Sequence, residues 1–118
     1  MTKHEDLPFL VHILEAIADI RDSINGYTKV SFAKNKDVRE ANIRRIEIIG
    51  EAVKNISAEI KKKYPRVEWK KIAGARDVMI HHYFGIDLNV VWEILTIDVP
   101  KIERDINNVI LEIKKGGK

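Results

Sequence analysis

The sequence predicts an all-α fold: an antiparallel bundle of four to five helices forming a single domain over residues 1–118. Three observations carry this expectation. Apolar residues recur at three- and four-residue steps nearly throughout, glycines and prolines fall between those periodic segments, and the β-branched stretch Thr28 to Phe32 has no second strand to pair with. Short connections favour antiparallel neighbours.

The first helix is expected from Leu7 to Asn25, where Leu10, Leu14, Ile17, Arg21 and Ile24 follow helical steps, Ile13 and Ile20 widen the stripe, and Gly26 ends it. The stretch YTKVSFAKNKD then reads as a loop or a short turn of helix that tucks Phe32 into the core. A second helix, Asp37 to Asn55, carries a broad apolar face of Val38, Ala41, Ile46, Ile49, Val53 and Ile56, extended sideways by Ile43 and Ile48. Gly50 lies inside that helix at a cost of roughly 1 kcal/mol against alanine. Close approach of another helix is the expected reason. Ser57 is placed to cap a short helix, Ala58 to Lys63, which Pro65 stops.

A third long helix covers Trp69 to His81 or His82, and Gly85 breaks the chain after it. Asp87 is well placed to cap a helix from Leu88 to about Thr96, and Asp98-Val99-Pro100 reads as a new start, proline being tolerated in a first turn. Ile102, Ile106, Val109, Ile110 and Ile113 form the last stripe, with Lys114 and Lys115 favourable at the helix C-terminus. Trp69 and Trp92 are expected to anchor the core.

Composition narrows the function classes. Hydrophobic residues make up 45% of the 118 positions and charged residues 33%, the pattern of a soluble globular domain. No apolar run is long enough to span a membrane, and acidic residues near the N-terminus stand where a signal peptide needs cations. The absence of cysteine excludes disulfides and thiolate metal sites, and fits a cytoplasmic location. His4 and His12 have no partner at ligand spacing, so no metal site is expected and no cofactor is implied. Net charge is only +3, yet Lys54, Lys61, Lys62, Lys63, Arg66, Lys70 and Lys71 face only Glu59 and Glu68 over the same stretch. Such an excess either draws a polyanion such as RNA or is a solvated helix face.

That stretch lies just upstream of the segment with chemistry in it, GARDVMIHHYFGID. Arg76 is a permanently charged fork suited to phosphate, and His81 is suited to moving a proton near neutral pH. Tyr83 is suited to stacking on a base, to hydrogen-bonding phosphate, or to being modified. Asp77 most simply pairs with Arg76 or a nearby lysine, and His82 reads as a solvent-facing neighbour. At about 100° per residue, Arg76 and Tyr83 share a face, whereas Arg76 and His81 are about 140° apart. An unbroken helix therefore cannot converge the Arg and His on one small target. Either the helix unwinds near His81, or two copies share a cleft across a two-fold axis. In such a cleft the plausible reaction is cleavage of RNA by its own 2′-hydroxyl, with His81 as general acid or base and Arg76 stabilising charge on the phosphoryl oxygens.

From LVHILEAIADI through REANIRRIEIIGEAVKNIS, KKYPRVEWKKIAGARDVMIHHYFGID and VVWEILTIDVPKIERDI, the sequence resembles the HepT-like proteins of the HEPN superfamily. The IIGEA, YP-x-x-x-W, R-D-x-x-x-H-x-Y-F-G and WE segments stand in family order with family spacing. The resemblance implies a helical homodimer with its cleft at the interface, acting as a metal-independent endoribonuclease and as the toxin of a toxin–antitoxin module. Arg76 and His81 would be the catalytic pair, with Asp77 at the polar supporting position. Tyr83 matches the tyrosine that, in some members, is AMPylated by an antitoxin nucleotidyltransferase of the MntA-like class. His82 departs from the acidic residue common at its position. A second reading makes the chain a noncatalytic helical partner, or substrate-binding subunit, of a minimal nucleotidyltransferase.

Overall fold

Helix ends in this protein follow from side chains that cap them. The computed structural model describes residues 3–81 and 87–116, without the side chains of Lys3, His4, Ile80 and His81. Among the described residues there is no strand. Four long helices make the bundle: α1 (Lys3–Ile24), α3 (Lys36–Lys54), α5 (Trp69–His81) and α7 (Val99–Gly116), linked by the short helices α2 (Lys29–Lys34), α4 (Ala58–Lys63) and α6 (Leu88–Glu93). No helix among the described residues is long and apolar enough to cross a membrane.

α1 begins a turn earlier than its apolar stripe. Asp6, fully buried, accepts hydrogen bonds from the Ser57 backbone N–H at 2.8 Å and the Ser57 hydroxyl at 2.6 Å, and so pins that extra turn to the start of α4. Pro8 therefore lies inside the helix rather than at its start. The buried stripe is Leu10, Ile13, Ile17 and Ile20; Leu14 and Ile24 are only half-buried. Arg21, expected on the stripe, turns outward and pairs with Glu103 of α7 at 2.6 Å. Gly26, at φ +82°, supplies the left-handed residue that closes the helix.

Thr28 and Ser31 form a capping box at α2, which buries Phe32 completely against the Trp92 ring, 5.1 Å away between centroids. Asn35 caps α3 by accepting from the Val38 N–H. Within α3, Ile43, Ile46, Ile49 and Val53 enter the core, joined by a polar group, Asn42. Its amide donates to Val38 O at 2.8 Å and to Ser23 of α1 at 3.0 Å, and accepts from Arg45, so this buried group is paired.

Ser57 caps α4 as expected, accepting from Ile60 N–H. The Tyr-Pro turn that follows is closed by the buried Trp69, whose indole N–H donates to Tyr64 O at 3.0 Å. The YP-x-x-x-W spacing is thus a turn lock. Asp87 caps α6 through Asn89 N–H, but the chain does not break before α7. Ile94–Asp98 is a π-helical turn, with Val99 N–H bonding Ile94 O, and it runs directly into α7. Pro100 explains the wider turn. It lacks an N–H, and in a regular helix its ring would meet the carbonyl four residues back.

Candidate active site

Gly50 and Arg76 mark the closest approach of α3 and α5. A Cβ placed on Gly50 would come within 2.4 Å of the Arg76 Cβ and 3.3 Å of Ile72 O, so only glycine lets α5 lie this close. The expected reason for a glycine inside α3 is the observed one. The approach lays the first part of the Arg76 side chain along α3 and carries its guanidinium to the helix rim, where the side chain retains 26% of its exposure.

At that rim the guanidinium is held between two carboxylates. One amino group lies 3.4 Å from Glu51 Oε1, one residue after the contact glycine, and the other donates to Asp77 Oδ1 at 3.2 Å. Asp77 Oδ1 also accepts from Lys54 Nζ at 3.2 Å. The chain Glu51–Arg76–Asp77–Lys54 therefore joins α3 to α5 with two positive and two negative groups. The Lys54 hydrogen bond and charge, helped by Arg76, hold the Asp77 carboxyl below its ordinary range against the opposing effect of desolvation. Asp77 is thus ionised at neutral pH and remains a fixed anchor. An arginine has five N–H groups in a rigid fork. Clamped on two sides, it still has N–H groups to offer a phosphoryl oxygen.

The guanidinium borders an open cleft of about 290 Å³. Phe9 and His12 of α1, Arg44, Glu47, Ile48 and Glu51 of α3, and Arg76 itself line it. On another face a second cavity of about 380 Å³ is walled by Ile72, Ala75 and Val78 of α5 and by Val90, Ile94 and Val99. Ion pairs Lys101–Glu68 (2.8 Å) and Lys71–Asp98 (3.7 Å) rim this apolar groove.

The residues singled out in the sequence are distributed unevenly around this centre. Arg76 and Asp77 are together. His81 is the last residue of α5 and its backbone is helical; its side chain lies outside the described residues, as do His82 and Tyr83 entirely. From Arg76 through His81 the backbone is one continuous helix. Of the basic stretch, Lys54 reaches the arginine through Asp77. Lys61, Lys62 and Lys63 are on α4, Arg66 is in the following turn, and Lys70 and Lys71 open α5. Lys71 is engaged with Asp98, Lys63 stacks over the Tyr64 ring at 5.8 Å, and Lys62, Arg66 and Lys70 are exposed. Glu51 escaped the sequence reading. No local signal marks it, because it stands 25 positions from Arg76 and meets it only where α3 and α5 cross.

Comparison with known proteins bears on the family of the whole chain. The family described as "Ribonuclease HepT-like" matches residues 13–109. A Methanocaldococcus jannaschii protein bearing the name "Putative RNase" is 43% identical over 114 residues, covering 97% of this chain and 94% of the relative. Another protein of that organism, "Gamma-glutamylcyclotransferase and putative RNase", is 42% identical over 107 residues; these are 91% of this chain but 48% of that longer relative, so the chain spans about half of its length. A Thermococcus cleftensis protein named "Probable ribonuclease HepT" is 38% identical over 100 residues, 85% of this chain and 89% of its own. No solved structure matches the chain. A match over most of the length, taking in Gly50 and the Arg-Asp-x-x-x-His segment, makes this chain a member of the HepT-like ribonuclease family of the HEPN superfamily.

Proposed function

We propose that the chain is a metal-independent endoribonuclease in which Arg76 and His81 act on a phosphodiester of RNA. The carrying observation is the clamp: a half-buried guanidinium, fixed by Glu51 and Asp77 beside an open cleft. An arginine held this way is pre-oriented, and preorganised charge is what a developing phosphorane requires. The 2′-hydroxyl attacks the adjacent phosphorus, forming the 2′-O–P bond as the P–O5′ bond breaks. One imidazole takes the 2′-hydroxyl proton and another protonates the leaving 5′-oxygen. The products are a 2′,3′-cyclic phosphate and a 5′-hydroxyl.

Two imidazoles call for two copies. The unbroken helix through His81 favours pairing Arg76 and His81 across a two-fold axis over their meeting within one chain. The apolar groove beside α5, with Val78 45% and Val90 43% exposed within it, supports a homodimer. Lys61, Lys62, Lys63, Arg66, Lys70 and Lys71 would guide the RNA strand by charge. As the toxin of a two-gene module, the protein would be silenced when an MntA-like nucleotidyltransferase AMPylates Tyr83. The added bulk and negative charge would repel RNA phosphate.

Incubation of the purified chain with RNA in EDTA tests the reaction. Cleavage leaving cyclic phosphate ends, lost in Arg76→Ala and His81→Ala, is the expected result. Intact RNA, or cutting unchanged in His81→Ala, would sink it. Co-expression with the nucleotidyltransferase, followed by mass spectrometry, should find one AMP on the wild-type chain and none on Tyr83→Phe.

A further inference from the structure

We propose that the cleft beside Arg76 receives an unpaired nucleobase of the RNA strand, next to the phosphate on which Arg76 acts. The inference deepens the ribonuclease reading above and rests on it for the identity of the strand.

Charge is the first reason. Arg44 and Arg76 in the cleft wall are matched by Glu47 and Glu51, so a phosphate seated there would meet two carboxylates as well as two guanidiniums. A neutral group fits better. Surface is the second. Phe9 and Ile48, both half-buried, contribute aromatic and aliphatic area to the cleft, the kind of surface on which a planar base is held.

The third reason is the order of polar atoms. Arg44 Nη1 donates to Glu47 Oε1 at 3.4 Å, and the arginine's other N–H groups and the carboxylate's second oxygen leave a donor and an acceptor to offer from the same wall. The Watson–Crick edge of each of the four bases sets an acceptor beside a donor, so the pair is complementary to that edge without selecting one base. The edge must be free. A base paired in a duplex cannot enter, which makes single-stranded segments and loops the substrate class, as is usual where proteins read RNA bases. Arg76 borders the same cleft, so a base lodged there leaves its own phosphate within reach of the clamped guanidinium.

The test uses the full chain with a fluorescein-labelled 2′-O-methyl RNA 12-mer, which binds but lacks the attacking hydroxyl. Binding is measured by anisotropy for the single strand, for its duplex, and for strands carrying one abasic site at each position in turn. Expected is at least tenfold tighter binding of the single strand than of the duplex, and one position where loss of the base weakens wild-type binding about tenfold. In Arg44→Ala and Glu47→Gln that abasic penalty should vanish. The Arg44 side chain is 71% exposed, so its truncation leaves the core intact, and thermal melts of both variants check this. Equal affinity for duplex and single strand, or an abasic penalty that persists in both variants, overturns the proposal. These outcomes are independent of catalysis: a wild-type chain that cuts nothing in EDTA refutes the ribonuclease reading, while the binding data still decide the base site.

Discussion

Two carboxylates fix the Arg76 guanidinium, and in the proposed reaction it would contribute only as well as it is aimed. Glu51 is more than half exposed, so it holds Arg76 without holding the fold. Glu51→Gln is therefore expected to lower kcat about tenfold, ~1.4 kcal/mol of transition-state stabilisation, with KM and thermal stability nearly unchanged. Glu51→Asp should recover part of the loss. A fall in stability with no change in kcat would reassign Glu51 to the fold. Asp77 offers a pH readout. Lys54 holds its carboxyl below the ordinary value of 3.8, so the pair's contribution to stability is present above that value and is lost as pH falls through the depressed folded value. Carboxyl carbon shifts followed by NMR should show Asp77 titrating below 3.8, and Lys54→Met should move it back up. Arg76 and Asp77 were legible as a pair in the sequence, being adjacent. Glu51 was not, because it is 25 positions away and reaches the site only through a helix crossing.

Helices α3 and α5 meet at Gly50, and that contact sets the place of the site. Gly50→Ala forces a Cβ into the Arg76 Cβ at 2.4 Å, so α5 must shift. Expected are a loss of about 1–3 kcal/mol in chemical denaturation, as for other overpacked contacts, and a fall in cleavage beyond that explained by unfolded protein. Asp6 is the other element-scale tie. In Asp6→Ala the Ser57 N–H and hydroxyl lose their buried acceptor, at a cost of about 2 kcal/mol; an unchanged denaturation midpoint would refute the anchoring role. The helices themselves were readable from apolar period, capping residues and glycine. Two details were not. The early start of α1 depends on a contact made 51 positions later, and the π turn at Ile94–Asp98 replaces a break, since Pro100 needs only a wider turn and not an interruption.

On the scale of the molecule, one bundle carries two unlike concave faces. One holds Arg76 in a charge-balanced cleft, and the other is an apolar groove between α5 and the π turn leading into α7. If the groove joins two copies, Val78→Asp should yield monomers by light scattering and remove cleavage, while far-ultraviolet circular dichroism stays helical. A dimer that survives this change would place the interface elsewhere. The basic residues on α4 and at the start of α5 precede the arginine along the chain, and in the proposed reaction they would guide RNA at long range rather than contact the reacting phosphate.

Periodicity, capping residues and motif order determined the helical class, most helix limits, the need for a close neighbour at Gly50, and the family. Those properties depend on residues near one another along the chain, where helical geometry relates spacing to direction. Tertiary structure decided which helix meets Gly50, that Glu51 and Lys54 complete the arginine's clamp, that Asp6 ties α1 to α4, and that a cleft opens beside Arg76. The contacts among these are pairings across 23 to 51 positions, and they and the cleft depend on how whole helices pack, which no local spacing encodes.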